Sequence, residues 1–316
     1  MKICYNSDDM ALYRRNLSVC LLVVFLAVIV FIPAFAFGGE REKLPSTSPR
    51  LKFSIKSFFS DDFLNPIGIF IDKGRDEVYV VDNERDEIFI FDQNGTPIFR
   101  FGREAGRRLL STPIDLVVRG DLIYVSQEGK PYIEVFDQRG NSVKRVTFPG
   151  KVFSPGRMDI DLDGNIYVVN KKLGECYVLD DQDNVVRTIG GGLTSLSGVA
   201  VGVDEVYLIT PFPSRSMVIN VYTVRGEFIR SFENIDSRGG TLMLPTAGKV
   251  DVDGNLWLVD SLMGIQIYNS HYKKISYFGK LESHKEMLRH PVDIDFTFNG
   301  MIYVVDKETK SVKVFN

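Results

Sequence analysis

Six charged residues occupy matching places in a segment that recurs along the 316-residue chain. The four copies that carry these charges begin with proline, and the charges stand at the third or fifth residue: Asp115 in "PIDLVVR", Arg157 and Asp159 in "PGRMDI", Lys249 in "PTAGKV", and Asp293 and Asp295 in "PVDIDF". Carboxylates beside an arginine and a lysine can form ion pairs, bind a cation or bind a polar ligand. Which of these they do depends on whether the fold brings the six together.

A second motif, an aromatic strand that ends in a small polar residue, gives the period of the chain. Its copies are "DEVYVVD", "GDLIYVS", "GNIYVVN", "DEVYLIT", "GNLWLVD" and "GMIYVVD". The closing polar residues are 40 to 50 positions apart: Asp82, Gln127, Asn170, Thr210, Asp260 and Asp306. Periods of this size are typical of β-propeller blades with four antiparallel strands. The spacing therefore predicts an all-β propeller with six blades.

The two ends of the repeat region complement each other. The last repeat stops at Asn316 after three strands, whereas "LKFSIKSFF" (51–59) precedes the first repeat with nothing before it to pair with. Placing 51–59 in the last blade closes the ring and removes two open sheet edges. This closure predicts Phe53 and Ile55 beside Val312 and Val314, a propeller over residues 51–316, and a linker at 37–50.

The aromatic and polar residues of the second motif have ready structural roles. We expect each aromatic to pack between neighbouring sheets rather than to form a ligand cage. We expect each closing polar residue to cap the turn after its strand by bonding nearby backbone. Both roles are expectations that coordinates can test.

Residues 1–36 differ in character from the rest of the chain. Arg14 and Arg15 precede a long apolar run that ends in the triplet Ala34-Phe35-Ala36, the pattern of a cleaved secretory signal. The run from Leu17 to Phe37 is also long enough for an uncleaved membrane anchor. Either interpretation predicts export to the periplasm or cell surface, with membrane contact only through this segment if it is uncleaved.

The net charge of −3 gives no general attraction to nucleic acid.

The first repeat, "PIGIFID…DEVYVVDNERDEIFIFDQNGTPIFRFG", resembles the NHL repeat. The resemblance spans about residues 51–316 and is poorer in blades 2 and 4, where Ser126-Gln127 and Ile209-Thr210 depart from the pattern. It implies a six-bladed propeller whose ligands bind at the mouth of the central channel. Propellers of this kind include both binding modules and enzymes, so the resemblance leaves the activity open.

Enzyme chemistry of the related folds is poorly matched by this sequence. The resemblance implies three zinc-binding histidines in an amidating lyase, but His271 belongs to a different end of the ring from His284 and His290. It implies a glutamate on the first inner strand in a calcium-dependent lactonase, where this chain has Gly68 and Phe70. No nucleophile elbow, phosphate loop or CxxC motif occurs. The sequence requires no cofactor, and calcium is the metal that it leaves open.

These considerations favour an exported, non-catalytic scaffold that binds a protein or a small polar ligand across one face. The residues Asp115, Arg157, Asp159, Lys249, Asp293 and Asp295 are candidates for a polar-ligand or cation site at the channel mouth, with ion pairing as the structural alternative. Basic residues on neighbouring loops are candidates for docking a protein partner: Arg103, Arg107, Arg108, Lys151, Lys171 and Lys172. The alternative function is a calcium-assisted hydrolase or lyase at the same mouth.

Overall fold

A computed structural model describes residues 49–104, 107–148, 150, 152–211, 219–232, 242–279 and 288–316. The chain divides into Met1–Lys43 and Leu44–Asn316, and the described residues all belong to the second part. The predicted leader at 1–36 and nearly all of the linker lie outside the described residues. Within those ranges, no helix has the length and apolar character needed to span a membrane.

The described residues form short antiparallel strands, numbered here in chain order. Before the first blade come β1 (Leu51–Ile55), β2 (Ser57–Phe58) and β3 (Asp61–Asp62). Blade 1 contains β4 (Pro66–Asp72), β5 (Glu77–Asp82), β6 (Glu87–Asp92) and β7 (Pro97–Phe101). A small ladder of β8 (Arg103–Glu104) and β9 (Arg107–Arg108) leads to blade 2, which contains β10 (Pro113–Arg119), β11 (Leu122–Gln127), β12 (Tyr132–Asp137) and β13 (Ser142–Thr147).

The remaining blades repeat this order. Blade 3 contains β14 (Pro155–Ile160), β15 (Ile166–Asn170), β16 (Glu175–Leu179) and β17 (Val185–Gly190). Blade 4 contains β18 (Gly198–Val201), β19 (Glu205–Ile209), β20 (Ile219–Thr223) and β21 (Phe228–Phe232). Blade 5 contains β22 (Pro245–Val250), β23 (Leu256–Asp260), β24 (Gly264–Tyr268) and β25 (Lys274–Phe278), and blade 6 contains β26 (Pro291–Phe296), β27 (Ile302–Asp306) and β28 (Ser311–Phe315).

The first strand of each blade is its inner strand. These six strands contact one another in cyclic order, β4–β10–β14–β18–β22–β26 and back to β4, so they surround a common axis. We call the end of the ring where each inner strand begins the upper end, and the end where it turns into the second strand the lower end. Each inner strand therefore runs from the upper to the lower end.

The predicted closure of the ring is confirmed. Strand β1 pairs antiparallel with β28 and completes blade 6, with Phe53 opposite Val314 and Ile55 opposite Val312. The sheet order β1-β28-β27-β26 joins the first described strand to the last three. Six four-stranded sheets result, which confirms the predicted six-bladed propeller.

The predicted roles of the repeated aromatic residues are confirmed. Five of the six, all tyrosines, are buried, and Trp257 is half-buried. Tyr79 packs in a core shared by blades 1 to 3, and its hydroxyl donates to Glu77 at 2.7 Å and contacts Gln138 of the next blade at 3.1 Å. The aromatic of one blade thus fills the space against the following sheet.

Four of the six polar residues that close the second strands cap the turn that follows, as predicted. Asp82 accepts N–H groups from Glu84 and Arg85 in the turn that follows it. It also accepts N–H groups from Leu64 and Asn65, which lead into the inner strand. Asn170, Asp260 and Asp306 make the same two kinds of contact in blades 3, 5 and 6. Each cap fixes two loops at the upper end of its blade.

Candidate functional site at the propeller axis

The inner strands carry two layers of side chains close to the axis. The upper layer comprises Gly68, Asp115, Arg157, Gly198, Ala247 and Asp293, and the lower layer comprises Phe70, Val117, Asp159, Ala200, Lys249 and Asp295. The pairing of five inner strands shifts register directly after the opening proline. An irregularity of this kind re-aims the side chains that follow it, so it helps to place the upper layer.

The four aspartates of these layers join consecutive blades. Asp115 accepts the N–H of Met158 in blade 3 at 2.9 Å, and Asp159 accepts the N–H of Val201 in blade 4 at 2.8 Å. Asp293 and Asp295 accept the N–H groups of Ile69 and Ile71 in blade 1, both at 2.9 Å. Each carboxylate also accepts the N–H of the residue that follows it in the chain. Sequence reasoning missed this role because the partners are backbone groups.

Two of the other junctions use glycine where these use aspartate. A Cβ atom at Gly68 would lie 3.2 Å from the carbonyl oxygen of Ile114, and one at Gly198 would lie 3.1 Å from that of Thr246. Glycine therefore allows blades 1 and 2, and blades 4 and 5, to approach closely at the axis. The sequence does contain a signal of these junctions, because four of the six aligned positions are aspartate or glycine: Gly68, Asp115, Gly198 and Asp293.

Arg157 crosses the upper layer from blade 3. Its Nη1 lies 2.9 Å from Asp293 Oδ2 and 4.0 Å from Asp115 Oδ2. Its Nη2 donates to the carbonyl oxygens of Ile67 at 2.9 Å and Val292 at 2.8 Å. The guanidinium group therefore bonds blades 1 and 6 from the opposite side of the ring.

Lys249 makes the corresponding crossing in the lower layer. Its Nζ lies 2.6 Å from Asp159 Oδ1, 3.8 Å from Asp295 Oδ2 and 5.5 Å from the centre of the Phe70 ring. Burial disfavours the ammonium form, but the attraction of Asp159 and Asp295 outweighs it and raises the pKa of Lys249. The lysine therefore stays charged.

The carboxylates of the upper layer are electrostatically strained. Burial, followed by repulsion from Asp293, raises the pKa of Asp115 to about 7, against the opposing effects of Arg157 and two backbone N–H groups. Burial also raises the pKa of Asp293, and Arg157 opposes that change. One guanidinium group thus faces two buried carboxylates, and this arrangement favours the protonated form of Asp115 more than an exposed position would.

The axis leaves little free space around these groups. The cavity lined by Asp115, Arg157, Asp159, Lys249 and Asp293 has a volume of about 20 Å³. A single water molecule needs about 10–15 Å³ on this scale, whereas sites for small organic ligands enclose about 300–1,000 Å³. In this conformation the axis has room for a water molecule and no room for an organic substrate.

The six predicted axial residues therefore lie together, and they form ion pairs with one another. Their carboxylate oxygens already accept backbone N–H groups, so they do not form an open cage of oxygen ligands. Across the described ranges, no group of three or more His, Cys, Asp or Glu residues is placed to hold a metal ion. The donor set at the axis does not fit the calcium that the sequence left open. His284, one of the three histidines considered as zinc ligands, lies outside the described residues.

The predicted docking residues have varied surroundings near the upper end. Arg108 pairs with Asp86 at 2.9 Å, and Arg103 lies 3.8 Å from the same carboxylate. Asp86 belongs to the acidic stretch "DNERDE" (82–87), and its carboxylate partly neutralises these two arginines. Lys171 lies 3.4 Å from Glu128, and Lys172 is exposed. Lys151 and the side chain of Arg107 lie outside what the structure describes.

Comparisons with known proteins support the fold but do not identify a family. No protein-family model matches the chain, so the resemblance to NHL repeats stays a prediction. No curated protein matches its sequence either.

Solved structures share the architecture at low sequence identity. A gluconolactonase from Xanthomonas campestris is 13% identical with a TM-score of 0.62, over 86% of this chain and 96% of that one. Virginiamycin B lyase from Staphylococcus aureus is 17% identical with a TM-score of 0.55, over 77% and 78% of the two chains. A luciferin-regenerating enzyme is 13% identical with a TM-score of 0.57, over 80% and 91%. At these identities the likeness establishes the six-bladed propeller fold alone.

Proposed function

We propose that this propeller is an exported, non-catalytic scaffold that presents its upper face to a protein partner. The observation that carries the proposal is the engagement of all four axial carboxylates. Each accepts a backbone N–H of the following blade, and Arg157 and Lys249 neutralise them in part. Because these carboxylates bond neighbouring blades, they help to hold the loops in place, and the loops themselves would contact a partner.

An upper patch in blade 3, formed by Val152, Lys171, Lys172 and Leu173, supports this proposal. All four residues are exposed. Asn170 ties the two loops together, because its amide donates to the carbonyl of Val152 and accepts the N–H of Ser154. Apolar side chains beside two lysines suit a partner with apolar and acidic residues, and the fixed loops lower the ordering cost of binding.

The scaffold proposal is tested by cross-linking in the native envelope fraction. We expect a defined partner to be enriched by the wild-type chain and about tenfold less by the variant K171E/K172E/L173S. The matched control K307E/K310E changes two lysines of the equivalent loop in blade 6 and is expected to retain the partner. Equal capture by the wild-type protein and the blade 3 variant would overturn the proposed surface.

A metal-assisted hydrolase or lyase is the second candidate function. The comparisons favour this candidate over the scaffold, because the solved structures of the same fold are a lactonase, lyases and a luciferin-regenerating enzyme. The raised pKa of Asp115, about 7, would also suit a proton-transferring group. The geometry of the axis favours the scaffold, since the cavity beside Asp115 has a volume of about 20 Å³ and is too small for an organic substrate.

An activity assay separates the two candidates. The purified protein is incubated with gluconolactone and with a streptogramin B antibiotic, each with and without Mg²⁺ or Ca²⁺. The scaffold proposal predicts no turnover above that of buffer. Turnover that is lost in a folded Asp115→Asn variant would overturn it in favour of catalysis at the axis.

A further inference from the structure

The lower end of the ring carries a row of exposed apolar side chains at one repeated position. This lower apolar ring consists of Leu162, Val203, Val252 and Phe298, which are 92%, 76%, 83% and 74% exposed. They belong to four consecutive blades, 3 to 6, and each is the second residue of the turn between the inner strand and the next strand. One position in four consecutive blades makes this a shared surface rather than scattered exposure.

The turns themselves do not need these apolar side chains. In blade 3, Asp161 fixes the turn by accepting the N–H groups of Asp163 and Asn165, and Leu162 points into solvent. Asp251 does the same for the turn of Val252, accepting the N–H groups of Asp253 and Asn255. Blade 1 has a lysine, Lys73, at the corresponding place seven residues after the opening proline of its inner strand, so a polar residue is compatible with the fold.

The turns of neighbouring blades adjoin at the lower end. Arg119 of blade 2 donates to the carbonyl of Gly164 in the turn of blade 3 at 3.3 Å. Lys73 of blade 1 lies 5.7 Å from the centre of the Phe298 ring in blade 6. The inner strands of blades 3 to 6 follow one another around the axis, so the four apolar residues follow one another in the same order at the lower end of the ring.

The charge around the lower apolar ring is negative. The four turns (161–165, 202–205, 251–255 and 297–300) contain six acidic residues and no lysine or arginine. Exposed acids directly follow three of the apolar residues: Asp163 after Leu162, Asp204 after Val203 and Asp253 after Val252. A second copy of the chain would bring an equally acidic surface to the contact, and an anionic membrane would repel it.

We infer that the lower apolar ring is a docking surface for a protein segment that combines apolar side chains with lysine or arginine. Its apolar residues would cover Leu162, Val203, Val252 and Phe298, and its cations would pair with the exposed acids between them. This surface lies at the opposite end of the ring from the upper patch. The inference therefore goes beyond the proposed function and does not depend on it.

Binding of a defined peptide to the full-length protein tests this inference. The probe is a fluorescein-labelled 18-residue amphipathic helix of leucine and lysine, and the control probe has glutamate in place of each lysine. We expect the lysine probe to bind, and the variant L162S/V203S/V252S/F298S to bind it at least about tenfold more weakly. The variant D163N/D204N/D253N should also bind the lysine probe more weakly. Added salt should weaken binding by the wild type more than binding by this variant, so that their affinities become more similar.

A matched variant guards against a general loss of surface hydrophobicity. I98S/V143S/V186S/I229S removes four exposed apolar side chains from the outer strands of blades 1 to 4, and we expect it to bind the probe as the wild type does. Equal binding by the lower-ring variant, or equal binding of the glutamate probe, would overturn the inference. The inference would also be overturned if the wild-type protein formed a dimer, or bound phosphatidylglycerol vesicles, and the lower-ring variant did not.

Discussion

The inner strands bury charge at the axis, and the turns that follow them expose apolar side chains three residues further along the chain. Asp159 is 2% exposed and Leu162 is 92% exposed; Asp295 is 1% exposed and Phe298 is 74% exposed. Lys249 and Val252 repeat the pattern in blade 5. In these segments burial therefore follows position in the ring rather than the polarity of the side chain.

The difference separates residues that hold the ring from residues that face outwards. A buried charge is tolerated only when partners satisfy it, so removing one partner leaves the others uncompensated. An exposed apolar side chain contributes little to the folded state, because it is in water before and after folding. Substitutions at the axis should therefore alter stability, and substitutions in the lower apolar ring should alter binding.

The largest expected effect follows from removing the upper cation. Arg157→Met leaves Asp115 and Asp293 buried without their counter-ion, and we expect the free energy of unfolding to fall by about 3–5 kcal/mol. Urea denaturation measures this change. The control Arg289→Met breaks an exposed pair with Glu308 and should cost less than about 1 kcal/mol. Similar losses in the two variants would remove the distinction between axis and surface.

A smaller effect is expected where glycine lets two blades meet. Gly68→Ala places a methyl group 3.1 Å from Val81 and 3.2 Å from Asp115, which should cost about 1–3 kcal/mol. Gly74→Ala is the control, because its added Cβ would meet only the carboxylate of Asp72, at 3.3 Å on an exposed turn. Thermal unfolding of the two variants compares them. Equal melting temperatures would show that the axis tolerates overpacking.

The raised pKa of Asp115 gives a pH dependence with a defined sign. Because the folded-state value of about 7 exceeds the ordinary value of 3.8, the folded protein binds more protons than the unfolded chain between pH 4 and 7. Stability contributed by this group is complete below about pH 4 and is lost as the pH rises through 7. We expect a loss of at least about 1 kcal/mol over this window, and a flatter profile in Asp115→Asn. A wild-type profile that rises across the window would contradict this assignment.

The smallest effect on stability is expected at the lower end. Each serine in L162S/V203S/V252S/F298S should change the free energy of unfolding by less than about 0.5 kcal/mol, because the replaced side chains are exposed. Urea denaturation and light scattering together check this. A large loss of stability would mean that these residues pack against the ring.

The ring could be predicted from the sequence because the same motif recurs along the chain at a similar spacing. The spacing of Asp82 and its five counterparts gave six blades, and the unpaired segment 51–59 gave the closure that β1 and β28 make. The meeting of Asp115, Arg157 and Asp293 also followed, since all three stand at one place in the inner strand. Repeated positions in a closed ring necessarily lie at similar heights around its axis.

Two features of the molecule, one at the candidate site and one at the lower end, were beyond that reasoning. The N–H groups of Met158, Val201, Ile69 and Ile71 are present in any residue type, so no letter of the sequence marks them as partners of aspartate. The lower apolar ring left a signal in "DLDGN", "GVDE", "DVDGN" and "TFNG". A single apolar residue in a turn is ordinary, however, and only the exposure of all four marks a surface.

The central claim is that the axial charges bind the blades to one another. A double-mutant cycle between Arg157→Met and Asp293→Asn, measured by urea denaturation, tests it most directly. Because Arg157 Nη1 and Asp293 Oδ2 lie 2.9 Å apart, we predict a coupling energy of at least about 1 kcal/mol. Losses that add within about 0.5 kcal/mol would contradict the claim.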